Sequence, residues 1–229
     1  MIRLFTGSDL HEQTPISLSA EQGHYLLHVM RLSVGDKIAL FNGRDGEWAA
    51  ELIELSKKSV KVVPVEQIRK QTDEPGGILY MALIKKDPLD MVVQKATELG
   101  VSEIHFIQTD RTVVGKINIK RLTQIATEAA EQSERLSVPK LFDVCPLKQA
   151  LSTVRQTLVY LSERGKSVGA LNRKNTYAFF VGPEGGWSPA EIAFFEQNKV
   201  QSVHLGRLIL RAETACCAIL ACQAFDIFD

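Results

Sequence analysis

The sequence predicts an α/β domain with a mostly parallel sheet and helices on both faces, preceded by a small β-rich module. From residue 78 onward, short apolar runs alternate with stretches of helical length, the pattern of successive βαβ units. Before residue 70 the runs are short, apolar or alternating, and separated by turn residues. The texture changes at Gln71-Thr72-Asp73-Glu74-Pro75-Gly76-Gly77, a linker composition, which divides the chain into domains 1–72 and 73–229.

In the first domain, strands are expected at 37–42, 47–55 and 59–68, with Asn42-Gly43-Arg44-Asp45-Gly46 as the turn between the first two. Pro64 has no amide hydrogen to give a ladder, so the third strand is an edge or is broken there. Ser19-Ala20-Glu21-Gln22 is a capping box that starts a helix running to about Met30. His24 and His28 share a face of that helix, but no third ligand accompanies them and no metal site is expected. In the second domain, strands are expected at 78–84, 103–108, 141–144, 157–162, 177–181 and 201–205. Helices are expected at 88–99, 118–135, 146–154, 188–197 and 212–226, with Gly100 closing the first of these.

Lys+Arg and Asp+Glu both number 27, so the net charge is zero and gives no global attraction to nucleic acid. Local charge matters more. Arg111, Lys116, Lys120 and Arg121 fall within 111–121 without an acid, and 148–174 holds Lys148, Arg155, Arg164, Lys166, Arg173 and Lys174 against Glu163 alone. Such runs are either solvated faces or footprints for a phosphate-rich partner. No apolar run approaches the length of a membrane helix, and the start has no signal-peptide pattern. Cys145, Cys216, Cys217 and Cys222 lack C-x-x-C spacing, which suits reduced thiols in a cytoplasmic protein.

Two segments carry the chemistry. Val181-Gly182-Pro183-Glu184-Gly185-Gly186-Trp187-Ser188-Pro189 and Leu205-Gly206-Arg207-Leu208-Ile209-Leu210-Arg211-Ala212-Glu213-Thr214-Ala215 each follow a strand and open a helix. Two such corners at the carboxyl ends of neighbouring strands would form one ligand pocket. Glycines leave backbone amides uncovered, and Ser188, Pro189 and Glu191 form a capping box with proline at the first helical position. The G-x-G-x-x-G dinucleotide fingerprint is missing, Tyr160 breaks the Walker A pattern that would end at Gly165-Lys166-Ser167, and there is no G-x-S-x-G elbow.

Together with Lys95-Ala96-Thr97-Glu98-Leu99-Gly100-Val101, Glu128-Ala129-Ala130-Glu131-Gln132-Ser133-Glu134-Arg135 and Gly23-His24-Tyr25-Leu26-Leu27-His28-Val29-Met30-Arg31, these segments resemble the ribosomal RNA small subunit methyltransferase E family. That family belongs to the trefoil-knotted SPOUT methyltransferases. The resemblance covers essentially the whole chain; Leu208 departs where the family often has isoleucine.

The resemblance implies a PUA-like β-barrel that binds RNA, then a knotted domain that binds S-adenosylmethionine, in a cytoplasmic homodimer that methylates N3 of a uridine in 16S ribosomal RNA. Gly182, Glu184, Gly185, Gly186, Leu205, Gly206, Leu210, Glu213, Thr214 and Ala215 are assigned to the cofactor pocket, with Leu208 a further apolar wall. Arg211 is the first choice to stabilise negative charge on the uridine, with Arg111 and Arg135 next. Glu184 is either the general base or a brace for the loop amides. Arg31, Arg111, Lys116, Lys120, Arg121, Gln132 and Arg135 are the candidate RNA contacts, the last two taken to share a helix face. The largely apolar last helix is either deeply buried or part of the dimer interface. No metal is required. The alternatives are a related knotted enzyme acting on another RNA and a non-catalytic assembly factor.

Overall fold

The computed structural model describes residues 1–225 and 227, except 57–58, 73–75, 114, 154–155 and 173; of 153 and 164 it describes only the backbone. Part of the expected linker, and Arg155 and Arg173 of the second basic run, lie outside the described residues. The chain forms two compact units, residues 1–74 with 130–138, and 75–129 with 139–229.

In the first unit, β1 (Arg3–Phe5), β2 (Ile16–Ser17), β3 (Lys37–Phe41), β4 (Glu47–Leu55) and β5 (Val60–Arg69) form a sheet in the order β1-β3-β4-β5-β2. Its inward residues Leu4, Leu26, Ile38, Leu40, Leu52 and Val62 make the core. Pro64 pairs with Ala50 beside a register shift, and β2 covers only Lys61 and Val62 of β5, so the missing amide hydrogen falls at a bulge on a mostly uncovered strand. The turn before β4 is fixed by the Asn42 carboxamide oxygen, which accepts from the amides of Arg44 (3.0 Å) and Asp45 (2.8 Å). Asp45 in turn accepts from the Leu10 amide at 2.9 Å and from the Asn42 side chain, and these bonds hold its carboxyl below the usual carboxylate range.

The Ser19 capping box forms, with both of its bonds to Gln22 at 3.1 Å. The helix it starts reaches Val29 with Met30 as its C-cap, as expected, but changes type on the way. α1 (Ala20–His24) gives way to a π-helical turn over Tyr25–Val29, where the Met30 amide reaches back five residues to Tyr25. The Leu32 amide then bonds Leu26, and Arg31 adopts a φ of +55°. This wider turn keeps Leu26 fully buried and leaves His24 and His28 as an exposed, tilted ring pair. Among the described residues no cluster of three or more His, Cys, Asp or Glu is placed to hold a metal.

The second unit follows the expected alternation: β6 (Ile78–Ala82), α2 (Lys86–Glu98), β7 (Glu103–Gln108), α3 (Ile119–Gln132), β8 (Lys140–Pro146), α4 (Leu147–Thr153), β9 (Thr157–Ser167), β10 (Tyr177–Val181), α5 (Pro189–Gln197), β11 (Gln201–His204) and α6 (Ala212–Ala224). The last turn of α3 belongs to the first unit. The six strands run parallel in the order β11-β9-β10-β6-β7-β8.

Register lines up one aromatic per strand: Phe142, His105, Tyr80, Phe180 and Tyr160 face one another across five strands. Three successive pairs of that row stack with centroids 4.1–4.5 Å apart. Most of that face is covered by Leu147, Ala150 and Leu151 of α4 and Phe195 of α5. The alternating residues, such as Leu79, Met81 and Phe179, point to the opposite face. There α6 packs on β10 and α2, and its buried positions Ala212, Cys216, Ile219 and Leu220 form one stripe. Cys145, Cys216, Cys217 and Cys222 are free, and burial pushes each thiol up, Cys216 most of all, away from the reactive thiolate. No helix among the described residues is long and apolar enough to cross a membrane.

Candidate cofactor and RNA site

Because all six strands run parallel, the loops after β6, β7, β10 and β11 leave from the same edge of the sheet, the carboxyl edge where α/β sheets bind ligands. Both glycine-bearing corners are there. The sequence reading put the two corners on neighbouring strands, but β10 and β11 are separated by β9. At ordinary strand spacing the two corners therefore start roughly 10 Å apart, on either side of the end of β9.

The first corner is rigid. Gly182 lies against the buried Trp187, whose ring atoms a Cβ at 182 would meet at 3.0–3.3 Å. The Trp187 indole N–H donates to the carbonyl of Leu161 (2.8 Å), which ties the loop to β9. A turn closes from the Gly186 amide to Pro183, with Gly186 at φ +69°. Ser188 caps α5 and Glu191 completes the capping box. The second Glu191 oxygen reaches across the sheet edge and accepts from the Asp110 amide at 2.8 Å. The Ser188 hydroxyl donates to the Asp110 carboxylate, and Arg111 Nη1 donates to the Gly185 carbonyl at 2.7 Å. The loop after β7 is thus bolted to the loop after β10.

The second corner is open. Gly206 has φ +133°, with nothing within 4 Å of a would-be Cβ. Leu208 and Ile209 are 81% and 78% exposed, an apolar pair on the loop before α6. Leu205 and Leu210 are half-buried, and Arg211 stands exposed at the N-cap of α6 without a capping bond of its own. Glu213 and Ala215 are half-buried in the first turn and Thr214 is exposed.

Several expected residues sit differently from the sequence reading. Glu184 is exposed and, among the described residues, makes no hydrogen bond, so in the single chain neither the burial that suits a base nor the bracing of loop amides is present; Glu191 is the carboxylate that braces. Gln132 and Arg135 do not share a helix face. α3 stops at Gln132, Glu134 turns left-handed at φ +59°, and the Arg135 amide bonds back to Ala130. Arg135 is 7% exposed and donates to Ser137. Arg121 is ion-paired to Asp90 of α2, which occupies it as a tie between helices. Arg31, Arg111, Lys116, Lys120 and Gln132 are exposed.

Two further cations stand at the carboxyl edge, the exposed Lys85 and Lys86 at the start of α2. Their signal in the sequence is two positive charges opening a helix, where the helix dipole favours acids. A cleft lined by Gly165, Lys166, Gln201 and Ser202 opens where β9 and β11 lose register, and none of the expected cofactor residues lines it.

Comparison with known proteins decides the family. Residues 73–224 match the model of an RNA methyltransferase domain, and residues 18–65 that of an RNA methyltransferase PUA domain. Ribosomal RNA small subunit methyltransferase E of Rickettsia conorii is 34% identical over 96% of this chain and 93% of its own length. The chain belongs to the ribosomal RNA small subunit methyltransferase E family. The Bacillus subtilis member is 32% identical over 92% of this chain and 90% of its own. The crystal structure of the Neisseria gonorrhoeae member, bound to S-adenosylmethionine, superposes with a TM-score of 0.90 at 28% identity, covering 98% of each chain. The family places this chain among RNA methyltransferases with a PUA-like first domain and an α/β second domain.

Proposed function

We propose that this protein binds S-adenosylmethionine between its two glycine corners and methylates N3 of a uridine in 16S ribosomal RNA of the small subunit. The observation that carries the reading is the pair of corners at one sheet edge, in a chain matching small subunit methyltransferase E along nearly its whole length. The corners fit the cofactor. Gly186 and Gly206 have positive φ and open space where a side chain would begin, so backbone amides and carbonyls are approachable, and Leu205, Leu208 and Leu210 offer apolar walls for an adenine. The cofactor set is Gly182, Glu184, Gly185, Gly186, Leu205, Gly206, Leu210, Glu213, Thr214 and Ala215.

S-adenosylmethionine, when bound, supplies an electrophilic methyl group on its sulfonium. The protein's own task is to place the uridine in line with that methyl and to stabilise the base once its N3 proton leaves. Arg211, exposed at the start of α6 beside the open corner, is suited to face O2 or O4, where the negative charge gathers. Glu184 sits on the rim, where a second subunit or the RNA can cover it and make it a base. Arg135, being buried, is assigned to holding the 130–138 segment rather than to chemistry.

Residues 1–72 are assigned to RNA binding, with Arg31 on their surface, and 73–229 to methyl transfer. The family's knotted path is part of the proposal, supported by the strand order and by α6 returning across β10 to α2. So is a homodimer. The side of α6 away from its buried stripe carries small, half-exposed residues such as Ala215, Ala218 and Ala221, which permit close approach of a second copy. A ribosomal RNA substrate supports a cytoplasmic location.

Lys116 and Lys120 are exposed cations of the first basic run, whereas Arg121 is paired with Asp90. Reversing both to glutamate is expected to weaken binding to 16S RNA and reduce the slope of log affinity against log salt by about 2. An unchanged slope places the RNA groove elsewhere. The function itself is tested by methyl transfer from labelled S-adenosylmethionine to unmodified small subunits, their naked RNA and bulk transfer RNA, followed by digestion to nucleosides. Label in 3-methyluridine of 16S RNA is the expected result. Label in transfer RNA alone overturns the substrate, and cofactor binding without transfer to any acceptor overturns the enzyme in favour of an assembly factor.

A further inference from the structure

We propose that Asp110, Ser188 and Glu191 are positioning residues that lock the turn 109–112 onto the loop 182–188, so that Arg111 is presented to an RNA phosphate from one fixed place on the rim of the cofactor corner. The inference rests on the proposed RNA methyltransferase reading and adds to it a group of residues acting through Arg111.

Arg111 rides on a tight turn. The Thr112 amide donates to the Thr109 carbonyl at 3.2 Å, the Thr109 amide donates to the Thr112 hydroxyl at 3.1 Å, and the two hydroxyls lie 2.7 Å apart. The turn is held from outside at the residue just before Arg111. The buried Glu191 carboxylate divides its oxygens between two backbone amides, Asp110 and Ser188, each at 2.8 Å. The Ser188 hydroxyl, already accepting from the Glu191 amide, donates to the Asp110 carboxylate. These bonds join segments about eighty residues apart in sequence and leave the turn little freedom to rock.

Arg111 then lays its side chain over Gly185, where a Cβ would meet Arg111 carbons at 3.3–3.9 Å, and spends one N–H on the Gly185 carbonyl. The side chain is exposed, and among the described residues the other donors of the guanidinium have no partner and are available to a ligand. A flexible cation anchored at both backbone and head loses less entropy on meeting a phosphate, the advantage of preorganisation.

The test is a double-mutant cycle on binding to naked 16S RNA, read by filter binding, with calorimetry for S-adenosylmethionine alongside. Arg111→Ala is expected to raise the RNA Kd about tenfold, the size of one lost arginine contact, and Asp110→Ala, which loses the Ser188 contact but keeps its amide bond to Glu191, to raise it by a smaller factor. The double variant should bind no more weakly than Arg111→Ala alone, because Asp110 acts only through Arg111. Asp110→Asn, which keeps an acceptor for the Ser188 hydroxyl, should restore most of the affinity. Cofactor affinity is expected to fall less than RNA affinity in the single variants: Arg111 and Asp110 also touch Gly185 and Ser188, but the Trp187–Leu161 and Glu191–Ser188 bonds still hold the 182–188 loop. Additive losses in the double variant, or an Asp110→Asn variant as impaired as Asp110→Ala, overturn the inference and leave the enzymatic reading standing. A wild-type protein that binds this RNA but transfers no methyl group overturns the enzymatic reading while the cycle still decides the inference. A wild-type protein that does not bind the RNA overturns both.

Discussion

Gly206→Val is expected to abolish S-adenosylmethionine binding while leaving the fold intact. At φ +133° the backbone of Gly206 is in a region that residues with a β-carbon hardly visit, and a β-branched side chain is the least suited to it. The strain of holding valine there is about 1–3 kcal/mol. Nothing packs against this position, and the neighbouring Arg207, Leu208 and Ile209 are exposed, so the chain can relieve the strain by moving the 205–211 loop rather than by unfolding. The thermal midpoint should therefore move by only a few degrees. The loop's carbonyls and amides would no longer face the first corner in one arrangement, and calorimetry should record a loss of about a hundredfold or more in cofactor affinity, the equivalent of two lost backbone contacts in a desolvated pocket. A variant that keeps wild-type affinity removes the 205–211 corner from the site.

Arg3→Ala should give the largest loss of stability. The Arg3 guanidinium pairs with the buried Glu47 and donates to the carbonyls of Ala130 (3.1 Å), Glu131 (2.9 Å) and Arg135 (2.7 Å). Two of those carbonyls belong to the last turn of α3, where a cation also suits the helix dipole. The Glu131 carboxylate returns the connection by accepting from the Phe5 amide at 2.9 Å. Removing the arginine leaves Glu47, 3% exposed in the native structure, with the looser Arg69 contact at 3.4 Å among the described residues, and strips three carbonyls of a donor. Breaking a buried pair in this way costs about 3–5 kcal/mol, read as a lower urea midpoint. Arg3→Lys should recover little, because one ammonium cannot reproduce the fork that serves the carboxylate and three carbonyls together. A loss below about 1 kcal/mol, the level of an exposed pair, contradicts the role assigned to Arg3.

The elements that could be read from sequence are those specified by neighbours along the chain. Ser188-Pro189-Ala190-Glu191 signals a helix start because capping is a four-residue affair, and α5 begins there. Gly100 ends α2 because the chain needs a left-handed residue at that point, and it takes φ +83°. The alternation after residue 78 signals parallel strands and helices, but nothing local says that β9 will separate β10 from β11. The same limit explains the site. The glycine corners are local signals, visible as composition. The pairing of Arg121 with Asp90, thirty-one residues earlier, and the inward fold of Arg135 at the end of α3 depend on the tertiary structure and leave no local signal. Glu191 reads as a capping residue because one of its oxygens serves that purpose; the other serves Asp110, which only the folded sheet edge brings within reach.

A crystal structure of this protein grown with S-adenosylhomocysteine, the product form of the cofactor, tests the position of the cofactor site directly. The ligand is expected at the carboxyl edge of the sheet, bounded by Gly182–Gly186 on one side and Leu205–Leu210 on the other, with Leu208 and Ile209 turned from solvent onto it. Ligand bound instead in the cleft of Gly165, Lys166, Gln201 and Ser202, with both corners empty, would contradict it.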